Sequence, residues 1–287
     1  MEEIEVYRFP NPFNQELHLS VRTMEEIYDQ AQGATDHPHR HDYYTIVWVK
    51  KGKGTHLIDF KTYSLGENAV FFVNPGQIHQ VDTHTRPEGW VVTFAKSFLY
   101  MNHLNEDFLN EVNLFNGFED RPPLRLSSQV IPQLELMMQG MQSMFHSDYR
   151  HKLAGMAAYL KLFLVYCEEE CHPEENQFFQ DHPGKELLKE FKEMVEEHYR
   201  DRHKVKEYAD LLSVSTKHLN QVVKTLLGQT AKEVIQEKIM LSAKRELKYS
   251  DLSVKEIAYS LGYEEPLYFS SAFKKAVGVS PSEFRSN

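Results

Sequence analysis

The sequence predicts an α+β protein: a small N-terminal antiparallel β-barrel followed by helices, then an all-α domain of two helix-turn-helix units joined by a linker helix. Three observations predict it. Short β-branched and aromatic runs crowd the first hundred residues. An apolar stripe of helical period then runs from Leu153 to Cys167, and the last hundred residues repeat a pattern at an offset of about 50. The expected divisions are a barrel over 1–127, a helical segment over 128–171, a linker over 172–184 and the all-α domain over 185–287. Its two units are expected at about 205–228 and 254–278.

The strands come first. Ile46–Val49, His56–Phe60, Ala69–Val73 and Trp90–Phe94 are the apolar runs, and Lys51–Gly54, Leu65–Asn68 and Asn74–Gly76 punctuate them. Many short strands at close spacing suggest a small barrel or sandwich.

From about Ser128 the period changes. Leu153, Met156, Ala157, Leu160, Phe163, Leu164 and Cys167 fall on one helical face, and Ile131–Phe145 before them is rich in Met and Leu. Two such helices either pack on the barrel or face a second subunit. Residues 171–184 are polar and carry two prolines, Pro173 and Pro183, as a domain boundary does.

In the repeat, Leu219 matches Phe269, Val223 matches Phe273, Lys224 matches Lys274, Gly228 matches Gly278 and Glu233 matches Glu283. Each copy is a short helix, a tight turn and a second helix. Ser215 suits the N-cap of the second helix in the first copy. Gly262 suits the turn of the second copy, and Pro266 suits the first turn of its following helix. Burying Leu219, Val222 and Val223 leaves Thr216, Lys217, Asn220, Gln221 and Lys224 outward. Between the copies, Thr230–Tyr249 lacks Gly and Pro and spans roughly 30 Å as a helix. One turn of DNA is about 34 Å, so such a helix sets two reading helices in successive major-groove segments. Outward amide side chains are what base reading requires; a purely structural pair of hairpins does not need them.

Charge agrees with this division. The chain carries 32 Lys+Arg against 42 Asp+Glu, a net of −10. Residues 184–287 hold 18 basic against 16 acidic side chains, leaving 14 against 26 in residues 1–183. A neutral-to-basic module follows an acidic one. The two cysteines, Cys167 and Cys171, are four apart on a helical pattern, unlike a Cys-x-x-Cys pair, and are expected to be ordinary thiols. The acidic start lacks the character of a signal peptide, and no apolar stretch approaches the ~20 residues of a membrane helix. A cytoplasmic protein with no membrane partner is the expectation. No Gly-rich phosphate loop, Gly-x-Ser-x-Gly elbow or catalytic cysteine context is present.

The run from Ser253 through Ile257-Ala258-Tyr259-Ser260-Leu261-Gly262-Tyr263 and Phe269-Ser270-Ser271-Ala272-Phe273-Lys274-Lys275, closing with Gly278-Val279-Ser280-Pro281-Ser282-Glu283-Phe284-Arg285, resembles the signature of AraC/XylS transcription regulators. The resemblance covers about 184–287 and implies sequence-specific binding of double-stranded DNA at asymmetric sites. By position it implies base contacts from Lys217, Asn220 and Gln221, with Thr216 beside them, and from Leu267, Ser270 and Ser271. Many members carry Arg where this chain has Ser271, so a bidentate guanine contact is lost there. The second unit is then expected to hold phosphates through Lys274 and Lys275, with Lys224, Lys244 and Arg245 serving likewise. A homodimer formed through 128–170, and RNA polymerase as partner in the case of activation, are further expectations of the family.

In the N-terminal half, His39-x-His41 and Asn74-Pro75-Gly76-Gln77-Ile78-His79, with Gly52 and Gly66, resemble the two motifs of a cupin barrel over about 30–100. Three imidazoles, His39, His41 and His79, suit a divalent metal. Metal-binding cupins add a Glu after His-x-His, and Thr45 stands in that place. His39, His41, Tyr43 and Thr45 share one face at period two and offer polar and aromatic groups to a small-molecule effector such as a sugar. Metal site, effector site and structural histidines all remain open readings of these residues. No cofactor and no enzymatic activity are expected. A ligand-independent regulator with a dimerising barrel, or a metal-dependent cupin enzyme fused to a DNA module, are the alternatives.

Overall fold

The computed structural model describes residues 6–7, 18–102, 104, 108–109, 112, 114–115, 123–171 and 182–286. The expected linker over 172–184 lies outside them up to residue 181. The chain divides into two compact units, Ile4–Pro173 and Glu174–Asn287.

In the first unit, alternating apolar runs form two five-stranded sheets. One has the order β1(Val6–Tyr7), β3(His39–His41), β8(Ile78–Thr83), β5(Gly54–Ile58), β6(Lys61–Ser64). The other runs β10(Leu124–Arg125), β7(Ala69–Val73), β4(Tyr44–Lys51), β9(Glu88–Phe94), β2(Leu19–Thr23). Among the described residues, all pairing apart from the parallel β1–β3 pair is antiparallel.

Period-two alternation makes β4 serve two cores. Val47 and Val49, with Ala69 and Phe71 of β7, meet Ile58, Tyr63 and Val81 of the facing sheet. Ile46 and Trp48 point the other way, onto α3(Ile131–Phe145) and α4(Lys152–Cys171), which follow α1(Met24–Gln30) and α2(Lys96–Met101). Met138, Met141, Leu160, Phe163 and Cys167 are buried there, and the Trp48 ring lies 6.0 Å from Phe163 and 5.3 Å from Trp90. The helix pair therefore covers the outer face of the second sheet, one of the two placements the stripe allowed. Cys167, one of two free thiols, is part of that packing, and burial pushes its pKa well up.

The second unit contains α5(Lys185–His198), α6(Val205–Leu211), α7(Thr216–Leu227), α8(Ala231–Tyr249), α9(Val254–Ser260), α10(Pro266–Val277) and α11(Pro281–Ser286). The repeat is visible in its caps. Thr230 with Glu233 and Ser280 with Glu283 close equivalent N-termini, and Ser253 with Glu256 closes a third. Both hairpin turns end in the same bond: the amide of Val214 donates to the Ala209 carbonyl at 3.0 Å, and that of Tyr263 to Ala258 at 2.9 Å. Ser213 (φ 55°) and Gly262 (φ 78°) are the left-handed residues of the two turns. Ser213 lies two residues before its N-cap Ser215, whereas Gly262 lies three before Glu265. The second turn is one residue longer, so the repeat offset is 49 in the first helices and 50 in the second.

Candidate nucleic-acid interface and sensor site

The second unit presents α7 and α10 as amphipathic helices. Leu219, Val222 and Val223 bury one side of α7, and Phe269 and Phe273 bury one side of α10. Ser215 accepts the His218 amide at 3.1 Å and starts α7 where its cap preference requires. Thr216, Lys217, Gln221 and Lys224 lie on the exposed side of α7, and Leu267, Ser271, Lys274 and Lys275 on that of α10. Leu267 is 78% and Tyr268 73% exposed. Two apolar-bodied side chains standing in water on one helix suggest a surface made to be covered, and Tyr268 is the residue sequence reasoning omitted.

Asn220 and Ser270 occupy equivalent positions and are half-buried, with polar atoms bonded inside the unit. The Asn220 side chain donates to the Thr216 carbonyl at 3.1 Å and accepts the Ala231 amide at 3.2 Å. Ser270 donates to the Pro266 carbonyl at 3.0 Å. Lys244 and Arg245 are half-buried on α8. That helix has 19 residues, roughly 28 Å of axial length. Its buried face includes Val234, Ile235, Ile239, Ala243 and Leu247.

Two side chains fix the second hairpin against the rest of the unit. The Arg200 guanidinium donates to the Ser260 carbonyl at 3.1 Å and pairs with Glu246 at 2.9 Å. His203 bonds the Leu261 carbonyl at 2.8 Å through Nε2.

The candidate sensor site lies between the two sheets of the first unit. Register places His39 of β3 opposite His79 of β8, and β5 flanks β8 on the other side. The chain leaves the first sheet at Asp42 and enters the second at Tyr44, so His39 and His41 belong to one sheet and Thr45 to the other. All four residues of the period-two face still point inward, but across that crossing rather than along one strand. The turn Asn74–Gln77 clips β3 to β8: the Gly76 amide donates to the His41 carbonyl at 2.8 Å.

The imidazoles are in mutual contact. His41 Nε2 lies 2.8 Å from His79 Nε2, and Thr45 Oγ1 is 3.2 Å from the same His41 atom. The Tyr43 ring stacks on His41 at 4.2 Å. His79 Nδ1 lies 3.1 Å from Nε2 of His56, a fully buried histidine that the sequence motifs did not include. Burial holds His41 at about 4 and His56 at about 3, and keeps His79 well below its ordinary value. These three rings are neutral near pH 7, and burial pushes the Tyr43 phenol up so that it keeps its proton. Ligand atoms of His39, His41 and His79 all lie within 4.8 Å of one another. Among the described residues no carboxylate joins that group; Asp36 instead touches the far nitrogen of His39 at 3.4 Å.

Comparison with known proteins agrees with both halves. Residues 25–155 match the family model of the AraC-like ligand binding domain, and residues 208–287 that of a helix-turn-helix domain. The HTH-type transcriptional regulator YfiF of Bacillus subtilis is 27% identical over 286 residues, covering 95% of this chain and 88% of that protein. The HTH-type transcriptional activator RhaS of Pectobacterium carotovorum is 25% identical, covering 86% of each. Among solved structures, the C-terminal domain of AraT from Geobacillus stearothermophilus is 31% identical with a TM-score of 0.34, covering 35% of this chain and 84% of that one. The protein is a DNA-binding transcription regulator. It belongs to the AraC family and carries that family's N-terminal ligand-binding domain.

Proposed function

We propose that the chain binds operator DNA through the outward faces of α7 and α10 and that a small molecule bound between its two N-terminal sheets regulates this binding. The supporting observation is the pair of exposed polar helix faces joined by one capped helix of near-DNA pitch. Lys217 and Gln221, with Thr216, read bases in the first half-site. Leu267 and Ser271 make the shallower contacts of the second, while Lys224, Lys274 and Lys275 hold phosphates. Lys244 and Arg245 add charge behind them. Asn220 and Ser270 contribute through the orientation of their helices, since their side chains bond within the unit.

On this reading the effector is a small polar molecule, such as a sugar, recognised by His39, His41, Tyr43, Thr45 and His79. The protein acts in the cytoplasm, where its DNA is, and performs no catalysis. It works as a homodimer through the face of α4 where Leu162 is 48%, Val165 36% and Tyr166 37% exposed. Where it activates, RNA polymerase is its further partner. The test is genome-wide capture of bound DNA, repeated with candidate metabolites. Discrete sites whose occupancy shifts with one metabolite support the proposal; sequence-blind, strongly salt-dependent binding alone overturns it.

A further inference from the structure

The two outward helix faces differ in chemistry at matched positions. At the repeat offset, Lys217, His218 and Gln221 of α7 correspond to Leu267, Tyr268 and Ser271 of α10. Where α7 offers charged and amide groups, α10 offers an aliphatic chain, an aromatic ring and one short hydroxyl. Ser270 beside them has its own hydroxyl committed to the Pro266 carbonyl at 3.0 Å. Leu267 and Tyr268 take no part in the core, where Phe269 and Phe273 are the buried residues of the helix. Among the described residues they are the two most exposed large apolar side chains, at 78% and 73%. A single exposed apolar side chain is ordinary. Two adjacent ones in the first turn of one helix are not.

The charge around them says what covers them. α10 contains no acidic residue. Lys274 and Lys275 stand exposed two turns further on, in the rows that begin at Leu267 and Tyr268. A face that is apolar at one end and cationic at the other fits a polyanion carrying apolar groups. The first turn of a reading helix meets base edges in the major groove. There thymine alone presents an apolar group, its C5-methyl. A leucine neither donates nor accepts a hydrogen bond, so the methyl is the one base feature it distinguishes.

We propose that α10 reads its half-site through thymine methyl groups, with Leu267 packed on one methyl and the Tyr268 ring on another, while Lys274 and Lys275 hold the flanking phosphates. Successive residues diverge by about 100° around a helix, so the two side chains meet two different thymines. The inference rests on the DNA-binding reading of α10 and deepens it by naming the base chemistry recognised. The two half-sites are then read by different means, the first by hydrogen bonds and the second by apolar contact.

Duplexes are selected from a random pool by the full chain, and each thymine of the enriched sequence is replaced in turn by deoxyuridine. That exchange removes the methyl and keeps the base pair. Two thymines in the half-site that Gln221→Ala leaves unaltered are expected to lose affinity roughly three- to fivefold as uracil, the worth of one buried methyl. Leu267→Ala weakens the thymine duplex by the same factor and binds one of the uracil duplexes as wild type does. Tyr268→Ala behaves likewise at the other thymine, and Tyr268→Phe, which keeps the ring, restores binding. Thermal melts of these variants match wild type, since both side chains are exposed. Equal affinity for thymine and uracil duplexes overturns the inference alone, with sequence-specific binding intact. Equal losses on both duplexes in Leu267→Ala and Tyr268→Ala do the same. Variants that bind both duplexes as wild type does mark the pair as a surface for another protein and overturn it too. A pool that yields no enriched sequence defeats the DNA-binding reading, and this inference with it.

Discussion

The side-chain oxygen of Asn220 accepts the backbone amide of Ala231 at 3.2 Å, tying the middle of α7 to the first residue of α8. An amide side chain on the reading helix thus completes the cap of the linker. Asn220→Ala removes that bond and lowers stability by about 1 kcal/mol. Because it disturbs the mounting of α7, it weakens DNA binding on specific and scrambled duplexes alike. Fluorescence titration on both duplexes, beside a urea melt, checks this.

Gln221 stands one residue on, exposed, with its amide outward. Gln221→Ala relaxes base preference at a cost of about 1–3 kcal/mol on the specific duplex and leaves the scrambled one nearly unchanged. Lys274→Ala weakens both equally and reduces the salt slope by about one. Equal losses on the two duplexes for Gln221→Ala contradict its reading role.

Gly262 has φ 78°, and a Cβ there would sit 1.9 Å from the Arg200 carbonyl oxygen. Gly262→Ala therefore forces backbone to move and costs more than about 2 kcal/mol. The corresponding left-handed residue of the first turn, Ser213, has φ 55°, and Ser213→Gly relieves its strain and is close to neutral. Urea melts of the two variants give the contrast.

Acid weakens the N-terminal unit. His41 is held at about 4 in the folded protein, below its ordinary 6.5, because burial disfavours the cation. The unfolded chain then binds more protons between these values, and stability falls as pH falls through that window. The expected loss from His41 between about pH 7.5 and 5 is roughly 2 kcal/mol. Chemical denaturation at both pH values measures it, and His41→Gln flattens the dependence.

Leu162→Arg leaves the thermal melt nearly unchanged, since the side chain is already 48% exposed. On the proposed dimer face it shifts the protein to monomer, and sedimentation equilibrium gives the result.

Much of this architecture was legible in the residues. The α10 signature, the Ser215 cap and the stripe through Phe163 carry local information, and local information survives in a sequence. His56 was missed because no spacing joins it to His39 or His79; only the β5–β8 register brings it there. The available signal was a lone histidine in an otherwise alternating strand. Asn220 falls on the outward, base-contacting side by helical spacing alone, because its bond to Ala231 depends on how the Gly228 turn folds α8 back. The packing of α3 and α4 on the sheet rests on Trp48, whose direction follows from the crossing at Asp42 and Tyr43.

Strand β4 places Thr45 beside the histidines and, one residue on, turns Ile46 and then Trp48 toward α3 and α4. A pleated strand cannot be displaced on one side only. On the proposed sensor reading, a ligand that moves the β4 backbone at Thr45 also moves Ile46 and Trp48 on its other face. The partition that encloses these histidines is also the bed on which the exposed side chains of α4 are carried.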